Sequence, residues 1–283
     1  MSNLTIRKIP FSFEGAAFIW NPANPHASIL MNKISFFAIG FERYICRAMR
    51  DAEPLIEDLA VLDEARDFRA QESLHSQVHR KHVKALIARY PGLQGALDRV
   101  VAAFDDLYEA EPLAFHLGYV GGLESVFTPL FGMLLDHRDI LFGGGDARVA
   151  SMFIWHFFEE IEHRSSGLIV YDEVVGRYFY RIRNYRRYMA HSRSLFDALD
   201  AEFRMHVDNV PRDLFSVPAV SLPLRSRLRS LAGVVAAQLP WHDPTRAQLP
   251  DYYHEWKARY DAGEDVRQIY GARTALPQAS MAA

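Results

Sequence analysis

The sequence predicts an all-α protein, and three observations carry that expectation. Apolar residues recur at helical spacing through most of the chain. No stretch shows strand-like alternation, and no internal repeat of fixed period stands out. The strongest helical segments carry two Glu-x-x-His pairs, Glu72/His75 and Glu160/His163, and two further segments carry one well-placed glutamate each, Glu42 and Glu124. Residues three apart on an α-helix lie on one face about a turn along, so each pair presents a carboxylate and an imidazole to one point. With a glutamate from each of two other helices, this is a ligand set with which a four-helix bundle holds two metal ions.

The elements follow in order. Pro10 to Pro25 reads as an irregular, aromatic-rich lead-in closed by the turn signals Asn21-Pro22 and Asn24-Pro25. A helix is expected from about Ser28 to Met49, with Glu42 after the almost wholly apolar run from Ile34 to Phe41. After Pro54 a long helical pattern carries Glu72 and His75 near its middle and stops at Tyr90, before Pro91-Gly92. Leu93 to Glu109 is a shorter amphipathic segment. Leu113 to Leu135 carries Glu124, and Gly143-Gly144-Gly145 separates it from one helix over about Asp146 to Tyr171 that holds Glu160 and His163. A further helix reaches about Val207, and a connection punctuated by Pro211, Pro218 and Pro223 leads to a helix from Leu224 to Gln238. Pro240 to Pro244 is a turn, a short helix lies near Tyr252 to Tyr260, and Thr274 to Ala283 is small and polar enough to fray.

The expected organisation is a single all-α di-metal domain over residues 1–273, with a bundle core at about 28–171, C-terminal helices at about 172–262 and a flexible tail at 274–283. The fold class this implies is a ferritin-like four-helix bundle core with additional C-terminal helices.

Leu113–Leu135 is the most informative segment physically. Between Glu111 and Asp136 the only formal charge is Glu124. An unpaired carboxylate buried there costs several kcal/mol, which a neighbouring cation reverses. The run is long enough to span a bilayer. Gly118, Gly121, Gly122, Pro129 and the central glutamate, with no second long run to pair with it, argue for a core helix instead.

With 16 Glu and 12 His in the chain, chance supplies roughly 0.7 Glu-x-x-His pairs, so one pair alone means little. The last motif carries more, because His156, Glu160 and His163 fall within about 60° of one another on a helix. His79 competes with His156 as a seventh ligand, since Glu72, His75 and His79 share a similar arc. His156 is favoured because a carboxylate bridging two ions at Glu160 then has an imidazole on either side. His79, beside Arg80 and Lys81, is read as supporting a ligand or facing solvent. Glu159 is read as a support, Glu162 as solvated, His116 as a hydrogen-bonded core histidine and Cys46 as a small buried hydrophobe.

Composition sets the outer limits. At 283 residues, 49% hydrophobic and 24% charged, the chain buries a large core. A net charge of −3 and a pI near 6.5 give no global basic excess, so no nucleic-acid partner is expected. The local exception is Arg177 to Arg193, rich in arginine and tyrosine, which reads as an amphipathic helix whose arginines lie over the core. One cysteine excludes an internal disulfide, and MSNLTIRKIPFSFEG has no apolar h-region, so a cytoplasmic protein is expected.

The motifs SFFAIGFE, QESLHSQVH, GGLESVF and WHFFEEIEH resemble those of bacterial proteins named predicted metal-dependent hydrolases, over about Ile9 to Tyr260. The ligand order is also similar to that of the di-iron arylamine N-oxygenases, which add a histidine four residues before the glutamate of the last Glu-x-x-His. Carried over residue by residue, the resemblance implies Glu42, Glu72, His75, Glu124, His156, Glu160 and His163 as metal ligands, with His79 and Glu159 as additional ligands or supports. Mixed carboxylate and imidazole donors lead us to expect two metal ions, iron first, with manganese or zinc as alternatives. Aromatic and aliphatic neighbours such as Phe36, Phe41, Phe127 and Trp155 suit an O2-dependent oxidoreductase acting on an apolar or aromatic small organic substrate. Without a G-x-G-x-x-G fingerprint, an oxygenase would need an external electron donor. The alternative is a binuclear metal-dependent hydrolase. A ferroxidase without an organic substrate fits the length poorly, and a homo-oligomer is compatible with the sequence.

Overall fold

The computed structural model describes residues 4–215, 222–247 and 249–271; apart from the irregular lead-in before residue 25 and the connecting loops these are helical, with an isolated bridge at Asp146 and no β-strand. Ten α-helices occur among them: α1 (Pro25–Ala52), α2 (Leu59–Arg89), α3 (Leu93–Ala110), α4 (Leu113–Asp136), α5 (Arg138–Phe142), α6 (Ala147–Glu162), α7 (Ser166–Val174), α8 (Tyr178–His206), α9 (Leu224–Ala236) and α10 (Asp251–Asp261). The fold is a ferritin-like helical bundle with added C-terminal helices. Pro218 and the tail from Thr274 to Ala283 lie outside the described residues.

Local chemistry sets the helix starts. Asn24 caps α1 by accepting from Ala27 N–H, with Pro25 in the first turn. Asp58 caps α2 through Ala60 and Val61 N–H, and Asp146 caps α6 through Arg148 N–H.

One expected helix is two. The segment expected to run unbroken from Asp146 to Tyr171 ends its first helix at Glu162, and His163 is the C-cap at φ −94° and ψ 15°. The chain turns through Arg164 and Ser165 before α7 begins. Packing explains the turn. A Cβ built on Gly121 of α4 would come within 3.1 Å of Gly167 carbonyl oxygen, so these helices meet backbone to backbone. The short α5 was likewise not expected from the sequence.

α1 packs along α2, α4 is wrapped by α1, α6, α7, α8 and α9, and α3 lies against α1 and α8. Among the described residues α4 is the one helix long and apolar enough to cross a membrane, and it is mostly buried within the bundle. Two apolar clusters form the core. One includes Phe36, Phe68, Phe104 and Phe203, and the other Phe131, Phe153, Trp155 and Trp256. The lead-in before α1 covers the second, with Phe11 5.5 Å from Trp155 between ring centroids.

Candidate metal centre

The structure brings all seven candidate ligands together at the junction of the two clusters, where His163 packs on Phe68 and His75 on Trp155. Glu42 comes from α1, Glu72 and His75 from α2, Glu124 from α4, His156 and Glu160 from α6, and His163 from the cap that ends it. They divide into two groups. Glu42, His75, His156 and Glu160 form one, and Glu72, Glu124, Glu160 and His163 the other; within each, one donor atom per residue lies within 4.8 Å of the rest. Glu160 belongs to both, as a carboxylate shared by two ions would. All seven are almost fully buried.

The donor atoms crowd without satisfying one another. His163 Nε2 lies 3.1 Å from Glu72 Oε1, 3.4 Å from Glu124 Oε2 and 3.2 Å from Glu160 Oε2. His156 Nε2 lies 3.2 Å from Glu42 Oε1 and 2.8 Å from Glu160 Oε1. Yet both oxygens of Glu72 and of Glu124, Oε2 of Glu42 and Nδ1 of His75 have no hydrogen-bond partner. Buried polar atoms left unpaired cost free energy, and so many facing one point fit a pair of cations. Burial pushes Glu42 up to about 7. It also drives Glu124 well above the usual carboxylate range, with Glu160 adding to the effect. Glu160 goes the other way: burial would raise it, but His163, His156 and His75 hold it well below. Burial opposes protonation of His75 and His163, and the surrounding carboxylates outweigh it and raise both. These raised groups hold protons among the crowded donors, which bound cations would displace.

Each histidine is oriented from behind. His75 turns Nε2 to Glu159 at 2.8 Å, leaving Nδ1 for an ion. His163 turns Nδ1 to Gln71 Oε1 at 3.1 Å, leaving Nε2. His156 sets Nδ1 2.9 Å from His79 Nε2, also leaving Nε2. The row continues from His79 Nδ1 to Ser35 Oγ and on to His82 Nδ1, each at 2.9 Å. Such partners fix ring orientation and tautomer.

A chain of this design has relatives. The family described as predicted metal-dependent hydrolases matches residues 5–244, a span that contains every ligand candidate. The chain belongs to that family. No curated protein and no solved structure matches it. The likeness to arylamine N-oxygenases rests on ligand order alone.

For this member of the metal-dependent hydrolase family, several expectations need correction. Glu162 is not solvated: it binds Arg7 through both oxygens, at 2.7 and 2.8 Å, and accepts from Gln71 Nε2 at 2.9 Å. His79 does not face solvent but is fully buried against His156. Cys46 is half-buried beside a cleft lined by Arg43, Arg47 and Arg69, its thiol pushed up to about 12 by burial. Glu159 contacts His75 and Arg7, and His116 hydrogen-bonds Tyr44 OH at 2.8 Å. In the arginine-rich segment, Arg181 is buried and bonds Gln238, while Arg187 lies over Phe115. Sequence reasoning missed Arg7, Gln71 and Ser35. Gln71 precedes His75 by one helical turn, which was the available signal for it.

Proposed function

We propose that the chain is a binuclear metal enzyme that oxidises an apolar organic substrate with O2. The observation behind this reading is a cavity of about 330 Å³ that opens onto the two donor groups. Glu42, Glu72, Glu124, His156 and Glu160 line its polar end, and the rest is apolar except for Ser192, whose hydroxyl is already engaged with Tyr119 OH at 2.7 Å. Away from the donor groups, Phe37, Phe41, Leu123, Phe127 and Phe131 offer no hydrogen-bonding side chain to hold a polar leaving group or an ordered water.

An iron or manganese pair held by shared carboxylates supplies O2 activation when bound. The chain's own residues do the rest. Glu160 spaces the two donor groups, Glu159, Gln71 and His79 hold the imidazoles at fixed angles, and the aromatic wall excludes water and orients an apolar substrate. Carboxylate-rich ligation and an apolar approach together favour oxidation.

The family description favours a second reading, hydrolysis, in which the same pair of ions activates water. One experiment separates the two. Protein loaded with iron and reduced without oxygen is mixed with air-saturated buffer and followed by absorption. A transient O2-dependent band, lost in Glu124→Ala and His163→Ala, supports oxidation. Turnover of esters or phosphoesters by the zinc-loaded protein, indifferent to oxygen, would replace this reading with hydrolysis.

A further inference from the structure

α9 is inside out for a soluble helix. At 100° per residue and taking Leu224 as zero, Leu228, Leu231 and Val235 fall at about 40°, −20° and 20°, one narrow stripe. That stripe faces solvent: Leu224 is 66% exposed, Leu228 56%, Leu231 58% and Val235 58%. The face turned to the protein carries small residues. Ser226 meets His137, Ser230 Oγ donates to Pro129 carbonyl oxygen at 3.0 Å, and a Cβ on Gly233 would come 2.6 Å from Pro129 Cβ. The leucines are therefore free because α4 is already served by the opposite face.

Charge identifies what the stripe suits. Arg225 and Arg229 lie at about 100° and 140° on one side of it and Arg227 at about −60° on the other. α9 has no acidic residue, and none of these arginines has a carboxylate within ion-pair distance among the described residues. Trp241, just beyond the helix, is 75% exposed. A second copy on this face would oppose arginine to arginine around a two-fold axis, which disfavours self-association. An apolar stripe flanked by unpaired cations with an exposed tryptophan nearby matches the interface of an anionic bilayer, apolar side chains among the acyl chains and guanidinium groups among the headgroups.

We propose that α9 docks this protein on an anionic lipid surface. α4, on which α9 rests, walls the apolar cavity through Leu130 and Met133, and α8, bonded to Gln238 through Tyr178 and Arg181, contributes Met189 and Phe196. Docking by α9 thus sets the membrane beside the elements that frame the substrate entrance. The binding does not depend on which reaction the metal centre performs.

Co-sedimentation of the metal-loaded protein with phosphatidylcholine vesicles, with and without phosphatidylglycerol, tests this. Wild type is expected to pellet with the anionic vesicles and to bind the neutral ones about tenfold more weakly. The Leu228→Ser/Leu231→Ser variant is expected to lose about tenfold or more of the anionic binding, and Arg225→Gln/Arg227→Gln/Arg229→Gln to lose the preference for phosphatidylglycerol. Circular dichroism and metal content check that both variants remain folded. Wild type left in the supernatant, or a leucine variant that pellets like wild type, overturns the proposal. A vesicle-free dimer that the leucine variant converts to monomer reassigns the face to a second copy and equally overturns it.

Discussion

Nη1 of Arg7 lies 3.0 Å from Oε1 of Glu159, a contact between the lead-in and the last turn of α6. Glu159 passes the constraint on to His75, and both members of the ion pair are buried. Removing one member of such a pair strands the other charge. Arg7→Met is expected to cost about 3–5 kcal/mol in urea unfolding. It should also weaken metal binding by about 10–100-fold, because His75 loses its anchored partner. A variant with wild-type stability and affinity would show that the lead-in does not brace the centre.

Glu160 belongs to both donor groups and Glu124 to one. Elemental analysis is expected to find both ions lost in Glu160→Ala, while Glu124→Ala keeps the group formed by Glu42, His75, His156 and Glu160. Glu124→Ala should raise the melting temperature of the metal-depleted protein by several degrees, since it removes a buried carboxylate whose oxygens have no hydrogen-bond partner, whereas Glu160→Ala should lower it, since it strands the imidazoles of His75, His156 and His163. Equal loss of metal from the two variants would contradict the division.

Burial pushes Glu42 up to about 7. Below that pH its proton must leave before an ion can enter. Metal affinity is therefore expected to fall as pH drops below 7, and to go on rising above 7 while His75, His163 and Glu124 still hold protons that an ion must displace. Calorimetry in buffers of different ionisation enthalpy should show proton release on loading at pH 6 that shrinks by pH 8. Release that does not change with pH would remove Glu42 from that role.

Leu130 lines the cavity and is not a ligand. Leu130→Trp is expected to leave metal content unchanged while lowering turnover of bulky apolar substrates at least about tenfold, with smaller substrates less affected. Uniform inhibition of all sizes would argue that the cavity is not the substrate path.

Much of this was legible in the sequence, for identifiable reasons. α1, α2, α3 and α4 announce themselves by apolar spacing, caps and the Pro91-Gly92 and Pro112 stops, all local properties. The convergence of Glu42, Glu72, Glu124 and Glu160 was readable because buried glutamates in apolar helices need a partner. The turn after His163 was not, since Ile161 to Ser166 contains neither glycine nor proline and the contact of Gly121 with Gly167 that explains it is tertiary. Glu162 sits well away from the His156 direction and was assigned to water; a segment more than 150 residues earlier covers that side with Arg7. The charged neighbours of His79 also misled: Arg80 and Lys81 point outward, while His79 follows His75 by one turn and shares its face.

The row from His156 through His79 and Ser35 to His82 has a direction. Burial lowers His79 well below the ordinary imidazole range and His82 to about 3, so each carries a single ring hydrogen near neutrality. Once Nε2 of His156 is given to an ion, its Nδ1–H must donate to His79, His79 must donate to Ser35, and Ser35 must donate to His82. The one remaining hydrogen then sits on Nε2 of His82, which has no hydrogen-bond partner. An occupied centre thus fixes the tautomer of a ring three residues removed from it, where nitrogen chemical shifts can read it without touching the ligands.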